Sequence, residues 1–309
     1  MDNQKKIYDT IIIGGGPAGY TAALYAARAG LDVLVLERMS VGGQMALTDT
    51  IDNYPGFDEG IDGFALAEKM QRGAHRFGAV SEYNSVNSVS LLGEVKVLST
   101  DMGERLARTV IIAGGARPRR LGLPGEEEYT GRGVHYCAHC DGRFYKNRTV
   151  AVVGGGNSAV SDALYLSRLC KKVYLIHRRD TLRASKVYHS SLLEAENIEM
   201  LLGYEVSSLK AGERLSGIEI ASVSDGAVRS LDIDALFISI GREPESEMYR
   251  DILDLDESGY IIADESTKTS VPGVFAAGDI RTKPLRQIVT AASDGAVAGE
   301  AVEIFLQEM

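Results

Sequence analysis

IIIGGGPAGYTAALYAARAGLDVLVLER at residues 11–38 and AVVGGGNSAVSDALYLSRLCKKVYLIHR at residues 151–178 follow one pattern and align without a gap at an offset of 140. They share Gly14/Gly154, Gly15/Gly155, Gly16/Gly156, Ala23/Ala163, Leu24/Leu164, Tyr25/Tyr165 and Arg28/Arg168. Each runs from a short apolar, β-branched stretch through a glycine turn into an amphipathic helix and out to a second apolar stretch. That succession defines a βαβ unit. The duplication therefore predicts an α/β protein built from two Rossmann-like dinucleotide-binding domains.

Each copy also has a matching end. Thr109–Pro118 (TVIIAGGARP) and Ala235–Pro244 (ALFISIGREP) are apolar strands followed by Gly-x-x-Pro. A further strand-to-turn signal, Gly273–Ile280 (GVFAAGDI), precedes a helical run from about Arg286 to Glu308. If this C-terminal segment returns to the first domain, the second is an insert. The expected division is 1–114 with 244–309 for the first domain and 115–243 for the second, joined by a two-strand hinge.

The bulk composition sets limits on what surrounds these domains. With 309 residues the chain accommodates two ordinary domains. It has 33 basic and 43 acidic residues, a formal charge of −10, and no long basic block, so nucleic acid and anionic membrane are poor partners. No apolar stretch approaches the roughly 20 residues that span a bilayer. Met1–Asp9 lacks the basic and continuous apolar regions of a signal peptide, and a cytoplasmic protein is expected. Three cysteines are too few for a secreted disulfide framework. Cys170, at the end of an apolar periodic run, is expected to be a buried core thiol.

Three motifs carry chemistry. Gly14-x-Gly16-x-x-Gly19 sits between strand and helix, where glycines permit the tight turn, the approach of a pyrophosphate and close helix–strand contact. Helix N–H groups then face the phosphates, and Glu37, at the end of the second strand, is placed to accept hydrogen bonds from a ribose diol. In the second copy, Gly154-x-Gly156-x-x-Ala159, the strand ends instead in His177-Arg178-Arg179-Asp180, with Arg183 one turn later. Arginines there pair with a 2′-phosphate that a carboxylate would repel, which favours NADPH over NADH. An exposed basic turn with no ligand, or one in which Asp180 pairs with the arginines, is the alternative.

The third motif is His135-Tyr136-Cys137-Ala138-His139-Cys140-Asp141-Gly142. Cysteines at this spacing can form and break a disulfide, and Asp141 is placed to supply or accept a proton. A zinc site using both cysteines, His135 and His139 is a second reading, but four ligands within six residues crowd one ion. No metal is expected, and the histidines are read as polar surface groups or groups behind the dithiol.

Taken together, the chain resembles the low-molecular-weight thioredoxin reductases over nearly its whole length. The matching stretches are GGGPAGYTAALYAARAG (14–30), GGQ (42–44), DNYPGF (52–57), CAHCDG (137–142), GGGNSA (154–159), HRRDTLRA (177–184), GVFAAGDI (273–280) and RQIVTAASDGAVA (286–298). The resemblance implies a homodimeric flavoprotein whose domains rotate, passing electrons from NADPH through FAD to a dithiol and then to thioredoxin. It implies FAD contacts from Gly14, Gly16, Ala18, Gly19, Glu37, Gly43, Gln44, Asn53, Asp279, Arg286, Gln287 and Ile288. It implies NADPH contacts from Gly156, Asn157, Ser158, His177, Arg178, Arg179 and Arg183. Cys140 would exchange electrons with the flavin, Cys137 would attack the thioredoxin disulfide, and Asp141 would act as the acid beside them.

One departure from the family pattern is His139, where many thioredoxin reductases carry threonine. The flavoprotein of alkyl hydroperoxide reductase also has histidine there, but it uses NADH and an N-terminal thioredoxin-like region. With Gly14 so near the start of the sequence, no such region is expected, and HRRD argues against NADH. A reductase of the same build serving a glutaredoxin-like protein or a peroxiredoxin is the nearest rival. A ferredoxin–NADP reductase shares the scaffold but lacks the dithiol.

Overall fold

Ile11, Ile12 and Ile13 are all buried, so strand β1 (Ile7–Ile13) does not alternate between core and solvent. A strand covered on both faces belongs inside a parallel sheet. In the computed structural model, which describes residues 6–48 and 50–309, β1 occupies that position. Helix α1 (Pro17–Arg28) follows, with Pro17 at a first-turn position where a missing N–H costs nothing. Next comes β2 (Val33–Glu37), parallel to β1. Helix α2 (Gly63–His75) starts where the Asp62 carboxylate accepts the Ala65 N–H, and β3 (Val80–Tyr83) adds in parallel outside β2.

The chain then makes an antiparallel meander of β4 (Val86–Ser90), β5 (Lys96–Thr100) and β6 (Gly103–Ile112). The second half of β6 returns parallel to β1. It leaves this sheet through β7 (Ala116–Pro118).

A second compact unit, Pro118–Arg242, follows. It contains β8 (Val134–His135), α3 (Ala138–Asp141), β9 (Thr149–Val153), α4 (Asn157–Ser167), β10 (Lys172–His177), α5 (His189–Glu194) and β11 (Ile198–Leu202). A meander of β12 (Tyr204–Ala211), β13 (Leu215–Ser222) and β14 (Val228–Asp232) leads to β15 (Ala235–Ile238). Its parallel sheet has the order β11-β10-β9-β15-β8. The duplication thus extends past the βαβ core: in both units a meander leads to a strand that pairs beside the first.

The chain re-enters the first unit, which comprises Met1–Arg117 and Glu243–Met309, through β16 (Arg242–Pro244), which pairs with β7. Strand β17 (Val274–Ala276) then pairs in parallel with β6. Helix α6 (Ile288–Gln307) completes the unit.

Helix α6 reaches the core through small residues rather than large ones. A methyl at Gly295 would be driven into the Ala18 carbonyl oxygen, and one at Gly299 would lie 2.8 Å from Tyr25 Cβ. The facing residues of α1, Ala18, Ala22 and Ala26, are buried. Two backbones in such contact gain dispersion along their whole length and leave no room for a side chain.

Gly73 in α2 has open space where a methyl would go, so the two positions test this contact against helix propensity. Alanine gains about 0.5–1 kcal/mol over glycine inside a helix. Gly73→Ala is therefore expected to stabilise the protein by that amount in urea denaturation. Gly295→Ala is expected to destabilise it by about 2 kcal/mol, because overpacking against immovable backbone outweighs propensity.

Candidate active site

The turn between β1 and α1 shows why each glycine is required. Gly14 has φ +107°, and a methyl there would strike the Ala113 carbonyl; one at Gly19 would strike the Gly14 carbonyl. Gly16 differs: its nearest neighbour is the Gly42 oxygen, 3.9 Å away. Gly14 and Gly19 are thus fixed by the protein's own packing, and Gly16 faces open space. No side chain caps α1, so its first-turn N–H groups are available to an anion there. At the end of β2, Glu37 Oε2 accepts the Gly15 N–H at 2.7 Å and Oε1 the Arg38 N–H at 2.7 Å. The carboxylate is held beside the turn with lone pairs left for ribose hydroxyls.

The other residues that the resemblance assigns to FAD are linked to this turn within the first unit. Gly42 N–H donates to the Gly15 carbonyl at 2.8 Å, so that a side chain built on Gly43 (φ +55°) would lie 3.9 Å from Gly16 Cα. Gln44 donates its side-chain amide to the Ala116 carbonyl. A side chain on Gly278 would lie 2.9 Å from Ala18 Cβ, so the turn carrying Asp279 fits against α1 only because Gly278 is bare. The guanidinium of Arg286 lies 4.0 Å over the Tyr260 ring, and its Nε donates to the Asp279 carbonyl at 3.4 Å. Gln287 caps α6 reciprocally with Thr290 and accepts a hydrogen bond from Asn53 at 3.0 Å. Ile288 opens that helix. This donor set, an uncapped helix terminus with room at Gly16 and a held carboxylate, fits a dinucleotide's pyrophosphate and ribose.

Asp294, absent from the sequence reading, anchors the Asp279 turn. It accepts the Gly278 N–H at 2.9 Å, Arg281 Nε and Nη2 at 2.9 and 2.8 Å, and Lys283 Nζ at 2.8 Å. Burial alone would push its carboxyl up, but the hydrogen bonds from Arg281, Lys283 and Gly278 outweigh it and hold the group below its ordinary value. Arg281, 2% exposed, also donates to the Ala263 and Thr282 carbonyls at 3.1 and 2.9 Å. The available signal was that Asp294 is the only charged residue between Ile288 and Gly299. Such a charge in a buried helix needs partners.

The second unit repeats the turn. A methyl at Gly154 (φ +146°) would strike the Ser239 carbonyl, whereas Gly156 has nothing within 4 Å. Helix α4 is likewise uncapped by side chains. The loop after β10 folds back on this turn, because Arg183 and Ala184 donate their N–H groups to the Gly155 carbonyl at 2.7 and 3.1 Å. Asn157 Oδ1 accepts the Ser185 N–H at 2.8 Å, and Ser158 follows it in the first turn of α4. Arg178, Arg179 and Arg183 are all exposed beside it. His177 is buried against Gly155, and its Nε2 has no hydrogen-bond partner among the described residues. Burial first, then Arg183, Arg179 and Arg178, hold the imidazole below its ordinary pKa, so it is neutral at pH 7. Three exposed cations and an unsatisfied imidazole nitrogen beside an open glycine turn fit a phosphorylated nucleotide.

Cys137 and Cys140 are joined as a disulfide. Cys137 is the N-cap of α3, a single turn ending in Asp141, whose N–H donates to the Cys137 carbonyl at 3.1 Å. A methyl on Gly142 would lie 2.7 Å from Leu166 Cδ2, so the glycine lets this turn rest on α4. Tyr136, just before the pair, donates its hydroxyl to Glu126 Oε1 at 2.6 Å. Glu126 in turn takes the N–H groups of Leu121, Gly122 and Leu123. Burial, then the Glu126 carboxylate, push the Tyr136 phenol well up, and it remains a donor.

The two histidines differ. His139 is exposed, stacks on Tyr165 at 4.3 Å, and has Nδ1 3.5 Å from Asp162 Oδ1. His135 is buried: Nδ1 lies 3.0 Å from Asp141 Oδ2 and Nε2 2.7 Å from the Tyr145 hydroxyl. Of the two readings for the histidines, His139 is the exposed one and His135 the one behind the dithiol, because β8 pairs with β15 and places the His135 ring on Phe237 at 5.3 Å. Among the described residues no group of His, Cys, Asp and Glu converges to hold a metal ion.

Two dinucleotide turns on parallel sheets, with a disulfide at the N-terminus of a short helix in one of them, define a nucleotide-dependent disulfide oxidoreductase. The model of the pyridine nucleotide-disulphide oxidoreductases matches residues 8–295. The thioredoxin reductase of Listeria monocytogenes is 44% identical, covering 100% of this chain and 97% of that protein. That of Bacillus subtilis is 43% identical over 99% and 97%. The crystal structure of thioredoxin reductase from Streptococcus pyogenes superposes with a TM-score of 0.89 at 44% identity, covering 98% and 99% of the two chains. The chain belongs to the pyridine nucleotide-disulphide oxidoreductases and, within them, to the thioredoxin reductase family.

Cys170 supplies an internal control for the reactivity of the pair. It is buried, and burial, then Asp234, push its thiol up to about 11. At pH 8 only about one molecule in a thousand carries that thiolate. After reduction, iodoacetamide is expected to label Cys137 and Cys140 within minutes and Cys170 only on unfolding, as read by peptide mass mapping.

Proposed function

We propose that this enzyme is an NADPH-dependent thioredoxin reductase that moves electrons through FAD and the Cys137–Cys140 disulfide to thioredoxin. The observation that carries the reading is the disulfide on α3, set in a unit whose own glycine turn is flanked by Arg178, Arg179 and Arg183. When bound, NADPH supplies a hydride and FAD a two-electron relay.

The residues that hold FAD in this reading are the α1 turn from Gly14 to Gly19 with Ala18, Glu37 for the ribose, and Gly43, Gln44, Asn53, Asp279, Arg286, Gln287 and Ile288 around them. Gly156, Asn157, Ser158 and His177 line the NADPH turn, and the three arginines pair with a 2′-phosphate, whose charge they alone offset. Cys140 receives electrons, Cys137 attacks the partner's disulfide, and Asp141 moves the proton that thiol–disulfide exchange requires. The paired crossings β7 and β16 serve as the hinge. Named relatives of this build support thioredoxin as partner. The acidic surface, with its formal charge of −10, disfavours nucleic acid. We place the enzyme in the cytoplasm as a homodimer; no helix among the described residues is long and apolar enough to cross a membrane.

The test is NADPH oxidation with thioredoxin as acceptor, in parallel with NADH. The Cys137→Ser/Cys140→Ser variant is expected to keep its flavin and lose thioredoxin reduction. Flavin reduction with no transfer to any thioredoxin would redirect the assignment to another disulfide partner. Charge-assisted hydrogen bonds contribute about 1.5–3 kcal/mol each. Arg178→Ala with Arg179→Ala is therefore expected to raise the KM for NADPH at least about tenfold while leaving that for NADH within about twofold. Equal losses for both nucleotides would remove the 2′-phosphate role.

A further inference from the structure

His135 stands two residues before Cys137 and is tied to the residue that follows Cys140. Its ring is buried, pressed on Phe237, and hydrogen-bonded on both sides: Nδ1 to Asp141 Oδ2 at 3.0 Å and Nε2 to the Tyr145 hydroxyl at 2.7 Å. Tyr145 packs edge-on to both His135 and Phe237. Burial raises the Tyr145 phenol above its ordinary value, so it keeps its proton at neutral pH. A neutral imidazole between a phenol and a carboxylate satisfies both partners in one way only. Nε2 accepts the Tyr145 O–H, and the single ring proton lies on Nδ1, directed at Asp141. The other charges bearing on Tyr145 are Arg214 and Asp234.

We propose that His135 is a positioning residue for dithiol exchange, holding the Asp141 carboxylate in place through Nδ1–H while Tyr145 fixes the tautomer. The inference rests on the thioredoxin reductase reading for the roles of the cysteines. In the exchange, the Cys137 thiol gives its proton to Asp141 and its thiolate attacks one sulfur of the partner disulfide. As the mixed disulfide forms, the partner's S–S bond breaks, and the departing sulfur leaves with the electron pair and takes the proton from Asp141. The Cys140 thiol then loses its proton to Asp141, and its thiolate attacks Cys137. The Cys137–Cys140 bond re-forms, and the partner's second sulfur departs and takes that proton. The enzyme dithiol is oxidised and the partner reduced, with Asp141 returned to its carboxylate after each transfer. His135 transfers no proton; it sets where Asp141 presents its carboxylate to the thiols.

The test follows reoxidation of pre-reduced holoenzyme by thioredoxin. His135→Phe keeps the stacking and removes both hydrogen bonds; His135→Asn places an amide N–H where Nδ1 stood. His135→Phe is expected to slow reoxidation about tenfold, because an unanchored Asp141 no longer faces the thiols. Hydride transfer from NADPH and flavin content stay unchanged. His135→Asn is expected to recover most of the rate.

An unaltered rate in His135→Phe would overturn the proposal. So would equal losses in both variants, since packing and not the donated hydrogen bond would then be responsible. If His135→Phe does not fold, Tyr145→Phe must slow reoxidation while leaving hydride transfer unchanged, and an unaltered rate overturns the proposal equally. If the wild-type enzyme turns over no thioredoxin, the partner assignment fails. The same comparison on the small aromatic disulfide dithiobis-nitrobenzoate then decides the role of His135.

Discussion

Everything in the two units depends on how closely a helix N-terminus can approach the strand before it. At Gly14, Gly19 and Gly154 a single methyl would enter a backbone carbonyl, so these positions have no tolerance at all. Close approach directs the first N–H groups of α1 and α4 over the strand ends, with open space beside Gly16 and Gly156. Uncapped helix ends of this kind leave their N–H groups available to an anion. The same economy of side chains recurs at Gly278 against Ala18, at Gly295 against α1 and at Gly142 against α4. Each brings a functional turn or helix closer to its neighbour than any residue with a Cβ would permit.

A second layer of organisation comes from buried carboxylates that gather donors. Glu126 collects three backbone N–H groups and the Tyr136 hydroxyl. Asp294 collects Arg281, Lys283 and the Gly278 N–H. In each case the carboxylate satisfies donors that would otherwise be orphaned where the chain is irregular. The irregular segments lie beside candidate site residues: Glu126 anchors the strand leading into Cys137, and Asp294 the turn bearing Asp279. Rigid loops are obtained without regular secondary structure.

The sequence displays most of the fold because βαβ units are local. Glycine spacing, the apolar strand at Ile11–Ile13 and the repeat at offset 140 are all read from adjacent residues. Residues placed around the β1–α1 turn are legible for the same reason, and Glu37 does lie beside Gly15. What escapes is whatever depends on contacts across the chain. Asp294 is a plain helix acid until Arg281 and Lys283 fold onto it. For His135 the sequence leaves open a surface group or one behind the cysteine pair, and only the short parallel pairing of β8 with β15, which buries its ring, decides between them. Neither position has a periodicity or spacing that announces its partner; only the unmatched charge of Asp294 within a buried helix hinted at one.

The second unit begins and ends on strands that pair with each other, β7 going out and β16 coming back. Its two chain ends are therefore neighbours, although Pro118 and Arg242 are far apart in sequence. A module closed in this way can be lengthened, shortened or replaced without altering the register of the sheet that hosts it. The disulfide and the arginine-flanked glycine turn, both housed in that module, are thereby free to diverge along lineages while the host sheet is inherited unchanged.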